Sequence, residues 1–188
     1  MTDLAAAKQT LLAELREHSL VIGEVTLSSG AVAQYYVDAR RTLMRPGGFR
    51  AAGELIAAAA HEVGATAVGG PATAAIAPSC AVLAVQAGDD LVAFFVRGEK
   101  KQHGLQRWVE GPVEAGVRRL IVEDTVTTGG STAEAIERCR EEGLEIAGVV
   151  AVVDRLAGGA ERIEAAAEAP YRALCTIDEL YPERPDRA

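Results

Sequence analysis

The chain has 188 residues, 49% apolar and 24% charged, with 19 Lys and Arg against 27 Asp and Glu for a formal charge of −8. That length suits one domain with a sizeable core, and that balance argues against disorder. With a pI near 5.0 it also excludes the broad basic surface of a nucleic-acid binder, so any bound anion must meet a local basic site.

Residues 3–18 carry Leu4, Leu11, Leu12 and Leu15 among polar residues, a helical pattern whose Asp3 is placed to accept from free amides at its start. Val21 to Leu27 and Gln34 to Asp38 read as short strands about a Ser28-Ser29-Gly30 turn. Phe49 to Val63 reads as an Ala-rich helix closed by Gly64. Ala67-Val68 then runs into Gly69-Gly70-Pro71, a second Ala-rich segment spans Thr73 to Gln86, and Leu91 to Val96 is a strand. Arg97 to Pro112 reads as a loop. Arg119 to Val122 is a β-branched strand, Glu123 to Gly130 a polar turn, and Ser131 to Glu142 a helix stopping at Gly143. Ile146 to Val153, apolar on both faces, suits a central parallel strand. Glu161 to Glu168 makes a helix and Pro170 to Leu180 a mixed tail. This alternation, without linker or repeat, predicts an α/β fold: a central, mostly parallel sheet flanked by helices.

Cys80, Cys139 and Cys175 are odd in number and widely spaced, with no C-x-x-C pair. They fit neither a disulfide framework nor a zinc site and are expected to be small buried residues in a reducing cytoplasm. No leader pattern opens the sequence, and no apolar run is long enough to cross a bilayer, so no membrane association is expected.

The stretch Val122-Glu123-Asp124-Thr125-Val126-Thr127-Thr128-Gly129-Gly130-Ser131 puts a strand, two acids, a hydroxyl-rich glycine turn and a helix start side by side. In open α/β sheets ligands bind beyond the carboxyl ends of the strands, where this turn lies. Its second half offers hydroxyls and unhindered amides at a helix N-terminus, a cradle for a phosphate dianion. Ser131-Thr132-Ala133-Glu134 also has the form of a capping box. Glu123 and Asp124 repel a dianion and must address something else. Because strand neighbours point in opposite directions, one can accept from a sugar diol while the other faces a metal ion or a cationic side chain. No P-loop and no dinucleotide-binding glycine pattern is present. Separately, Arg97 to Arg107 holds four Lys or Arg and one Glu, a local +3 against −11 elsewhere. Its Arg97, Lys100, Lys101 and His103 suit a departing diphosphate, with His103 able to donate a proton near neutral pH.

The Val122–Ser131 stretch resembles the phosphoribosyl-diphosphate (PRPP) motif of type I phosphoribosyltransferases. The resemblance implies that Glu123 and Asp124 hold the ribose 2- and 3-hydroxyls while Thr125 to Ser131 surround the 5-phosphate. Arg97-Gly98-Glu99-Lys100-Lys101-Gln102-His103-Gly104 is similar to the catalytic loop of the orotate phosphoribosyltransferase family. It implies that Arg97, Lys101 and His103 reach diphosphate from the partner subunit of a homodimer, and that Lys101, His103 and Asp124 are catalytic. Gly98 stands where the family usually has Lys, and Lys100 is expected to supply the charge. Thr26 to Gly30, with Tyr35, Tyr36, Asp38 and Arg40-Arg41, resembles the family's N-terminal hood, which implies that Ser28, Tyr35 and Tyr36 meet the orotate ring. Tyr35 and Tyr36 alternate faces, so one of them belongs to the core. Gly70 to Ile76 resembles a second turn of the family, with Ala74 in place of its Lys.

Val153-Asp154-Arg155 matches the family's D-R, implying that Arg155 meets the orotate carboxylate, with Thr127 close to orotate as well. A guanidinium fork grips a carboxylate through two parallel hydrogen bonds, a match that uracil lacks. The resemblance covers 1–188 as one domain: helix and hood over 1–45, core over 46–155 and a C-terminal segment over 156–188. It implies magnesium carried on PRPP rather than by a protein cage, and small-molecule partners only, PRPP and orotate. Transfer to another base, or a PRPP-sensing regulator without catalysis, are the alternative readings.

Overall fold

A computed structural model describes residues 2–26, 30, 32–85, 91–99, 107–114 and 116–187. Helix α1 (Leu4–His18) starts where Asp3 accepts from the Ala5 and Ala6 amides at 3.1 and 3.0 Å, and it buries Ala7, Leu11, Leu12 and Leu15 while Leu4 stays exposed. Strands β1 (Leu20–Thr26) and β2 (Val32–Val37) pair antiparallel as a separate hairpin. A short α2 (Arg40–Leu43) leads to α3 (Pro46–Glu62), which begins three residues before its apolar pattern because Pro46 suits the first helical position.

Strand β3 (Ala67–Pro71), α4 (Ile76–Val85), β4 (Val92–Val96), β5 (Val109–Glu110), β6 (Arg118–Val126), α5 (Gly130–Glu141), β7 (Glu145–Asp154), α6 (Gly159–Ala167), β8 (Tyr171–Thr176) and α7 (Ile177–Leu180) complete the order. The main sheet runs β5-β4-β3-β6-β7-β8 and is parallel except for the β4–β5 pair. Side-chain alternation divides its apolar residues between two layers. Leu120, Val122, Val150 and Val152 pack with α1 and α3, whereas Ile121, Val149 and Ala151 pack with α5 and α6.

The structure changes several sequence expectations. The expected turn at Glu123 is strand as far as Val126, because β7 supplies partners through Thr125↔Val153 and Val126↔Asp154. Within the expected 97–112 loop, Val109 and Glu110 pair with Val96 and Phe95. The mixed tail contains β8 and then α7, which is opened by a reciprocal cap between Thr176 and Glu179. Of the cysteines, Cys139 and Cys175 are buried, with burial pushing both thiols up to about 12, but Cys80 is exposed. Among the described residues, no helix is long and apolar enough to cross a membrane.

Candidate active site

A cavity of about 320 Å³ opens at the carboxyl edge of the main sheet. The passage from β2 to α2 contributes Tyr36, Asp38 and Arg40, and the turn after β3 contributes Thr73 and Ala74. Strand β6 and its turn contribute Asp124, Thr125 and Thr127, and Arg155 follows β7. Register brings the last two groups together: the Arg155 amide donates to the Val126 carbonyl at 2.9 Å.

The two acids of β6 leave opposite faces of the strand. Asp124 lines the cavity. Burial raises its carboxyl pKa, the Thr125 amide and the Arg40 guanidinium draw it down, and Asp38 pushes it up. Arg40 in turn donates from Nε to Asp38 Oδ1 at 2.8 Å. Glu123 turns under α5 and is 3% exposed; Thr132 Oγ1 donates to its Oε2 at 2.8 Å and Ser131 Oγ at 3.3 Å. Burial pushes this carboxyl up to about 7 despite those hydrogen bonds. Glu123 is not among the residues lining the cavity, whereas its neighbour Asp124 is.

The turn that follows reaches α5 through Gly129, whose φ of +70° favours glycine. The expected capping box does not form: Ser131 and Thr132 serve Glu123, and Glu134 accepts from Arg138 instead. The first amides of α5 therefore have no side-chain cap. The turn is also seated closely on α6. A Cβ on Gly129 would stand 2.7 Å from the Gly159 carbonyl oxygen, and one on Gly159 would stand 2.5 Å from Val126 Cγ1.

Arg155 lies with its guanidinium carbon 5.2 Å from the centroid of the Tyr35 ring, and its Nε is buried without a hydrogen-bond partner. The segment bearing it is fixed by Asp154, which accepts from the Leu156 amide at 2.7 Å and from Tyr171 Oη at 2.8 Å. Of the two adjacent tyrosines, Tyr36 lines the cavity, while Tyr35 is 3% exposed and backs Arg155. Tyr35 is thus the core member of the pair and Tyr36 the cavity-facing one.

Arg97 follows β4 and does not line the cavity; its Nη1 lies 3.6 Å from Glu110 and its carbonyl accepts from Arg138 at 2.8 Å. Thr128, Gly129, Gly130 and Ser131 form the turn and helix start beside Thr127 but do not line the cavity. Ser28, Lys100, Lys101 and His103 lie outside the described residues. Asp38, Arg40 and Thr73 line the cavity, although the sequence placed them only within the hood and second-turn motifs and assigned them no contact. Tyr36 and Asp38 are two apart on an extended segment, and that spacing was the signal for a shared face.

No protein-family model matches the chain. A parallel sheet carrying an acid and a T-T-G-G turn at the end of a central strand, beneath an N-terminal hairpin, defines the phosphoribosyltransferase class. The sequence is 45% identical over 182 residues to an orotate phosphoribosyltransferase of Streptomyces avermitilis, covering 96% of this chain and 98% of the relative. The fold is similar to that of Mycobacterium tuberculosis H37Rv orotate phosphoribosyltransferase with Fe(III) dicitrate (TM-score 0.84, 38% identity) and with PRPP (TM-score 0.79, 33% identity), each covering 93% of this chain and 98% of the other. The chain belongs to the orotate phosphoribosyltransferase family.

Proposed function

We propose that the chain transfers the 5-phosphoribosyl group from PRPP to orotate, giving orotidine 5-monophosphate and diphosphate, a step of pyrimidine biosynthesis in the cytoplasm. The observation that carries this reading is one cavity lined by both Asp124 and Arg155. Asp124 accepts hydrogen bonds from ribose hydroxyls, and the amides at the start of α5, with the Thr127, Thr128 and Ser131 region, hold the 5-phosphate. Arg155 grips the orotate carboxylate as a fork, and Tyr36 and Thr127 flank the ring.

The anomeric C–O bond to diphosphate loosens toward an oxocarbenium-like state and the orotate ring nitrogen attacks that carbon. Catalysis is then chiefly positioning and stabilisation of leaving-group charge. Among the described residues no three His, Cys, Asp or Glu side chains converge on a metal site. The carboxylates of Asp38 and Asp124 at the cavity instead suit a hydrated Mg2+ that travels with PRPP, where it supplies charge neutralisation. Arg97, Lys100, Lys101 and His103 belong to the leaving diphosphate, presented by the partner subunit of a homodimer. The test is loss of orotate absorbance with purified protein, Mg-PRPP and a panel of bases. Orotate consumption is expected. Consumption of a purine or uracil instead would assign another base, and PRPP binding without turnover would make the chain a regulator.

A further inference from the structure

The substrate contacts leave one network of the C-terminal segment without a task. After α7 the chain folds back onto the hood. Tyr181 packs edge-on to Tyr35, with ring centroids 5.7 Å apart and planes at 82°. Tyr35 Oη donates to Asp186 Oδ2 at 3.0 Å, and Asp186 Oδ1 forms an ion pair with Arg184, 3.0 Å from its Nε. Arg184, its side chain 10% exposed, also pairs with Asp178 of α7. The Tyr35 ring is therefore tied at its hydroxyl and packed at its side, and it is the ring over which the Arg155 guanidinium rests.

A guanidinium binds carboxylate well only when its plane is correctly presented, and a long side chain loses rotamer freedom to achieve that. The negative face of an aromatic ring holds a cation in place. The structure assigns Tyr181, Arg184 and Asp186 a positioning role: through Tyr35 they set the orientation in which Arg155 receives the carboxylate of the base. This rests on the reading of Arg155 given above, and it extends the substrate-binding apparatus to the last residues of the chain.

The test uses the full-length protein and separates orotate KM, PRPP KM and kcat for Asp186→Ala, Asp186→Asn, Tyr35→Phe and Arg155→Ala. Tyr35→Phe keeps the ring and its packing while removing only the hydroxyl. Asp186→Ala and Tyr35→Phe are expected to raise orotate KM about three- to tenfold, the scale of losing one ordinary hydrogen bond. PRPP KM and kcat stay close to their original values, and Asp186→Asn, which keeps an acceptor, recovers most of the loss. Unchanged orotate KM in Asp186→Ala and Tyr35→Phe, with a large rise in Arg155→Ala, overturns the positioning role and leaves the reading of Arg155 intact. Unchanged orotate KM in Arg155→Ala overturns that reading and the positioning role with it. A uniform loss in all three parameters with a lowered Tm reduces the network to a structural one and also overturns the proposal.

Discussion

Glu123 and Asp124 are covalent neighbours with different surroundings, and Glu123 gives the fold a pH dependence of its own. An isolated carboxyl titrates near 4.5, whereas burial holds that of Glu123 up to about 7. Between those values the native chain keeps a proton that the unfolded chain has released, so stability falls as pH rises through the window and the full cost remains above it. The size is roughly 2–4 kcal/mol. Glu123→Gln preserves an acceptor for Thr132 Oγ1 and cannot ionise, so its denaturant-derived stability should lack this part of the decline between pH 4.5 and 7. A variant with the same pH slope as the parent would refute the assignment. At this scale the sequence told which residue types mattered but not which member of a pair faces the cavity. Tyr35 and Tyr36, like Glu123 and Asp124, are resolved only by strand register and by what covers each face.

At the scale of elements, the contact between the turn after β6 and the first turn of α6 is a close constraint on the site. Gly159 lies outside the sequence motif, yet a methyl group there would meet Val126 Cγ1 at 2.5 Å and the Thr127 carbonyl oxygen at 2.7 Å. Gly159→Ala should cost about 1–3 kcal/mol through overpacking. Because Thr127 must move to relieve it, PRPP affinity measured by calorimetry should fall several-fold as well; a stability loss with unchanged PRPP affinity would separate the two elements. Helices were read well from sequence where the cues are local, as with the Asp3 cap of α1 and Gly64 after α3. Strand β6 was cut short because Glu123, Asp124 and Thr125 look like a turn. Hydrogen bonding to β7 makes them strand, and that partner is remote in sequence. Strand β8 escaped for the same reason: Tyr171 to Thr176 gain their order from β7.

Across the whole molecule, the charge of −8 conceals a local +3 between Arg97 and Arg107. Arg97 itself pairs with Glu110 and does not line the cavity that holds Asp124. The proposed homodimer, in which the loop serves the partner's cavity, would by isologous pairing hold two composite sites. Lys101→Ala and Asp124→Asn should each be nearly inactive alone, yet co-expressed chains should regain activity, because one site of each mixed dimer receives both intact residues. Absence of rescue in a demonstrated mixed dimer would place the loop over its own chain. At the base of that loop, the only tryptophan, Trp108, donates from its indole nitrogen to Glu141 at 2.9 Å and lies beneath the Arg138 guanidinium at 4.3 Å. Arg138 also holds the Arg97 carbonyl. The chain thus carries a single indole, excitable apart from its tyrosines, packed under a cation and tied to the helix that begins at the glycine turn, so changes at this junction are readable optically without attaching a label.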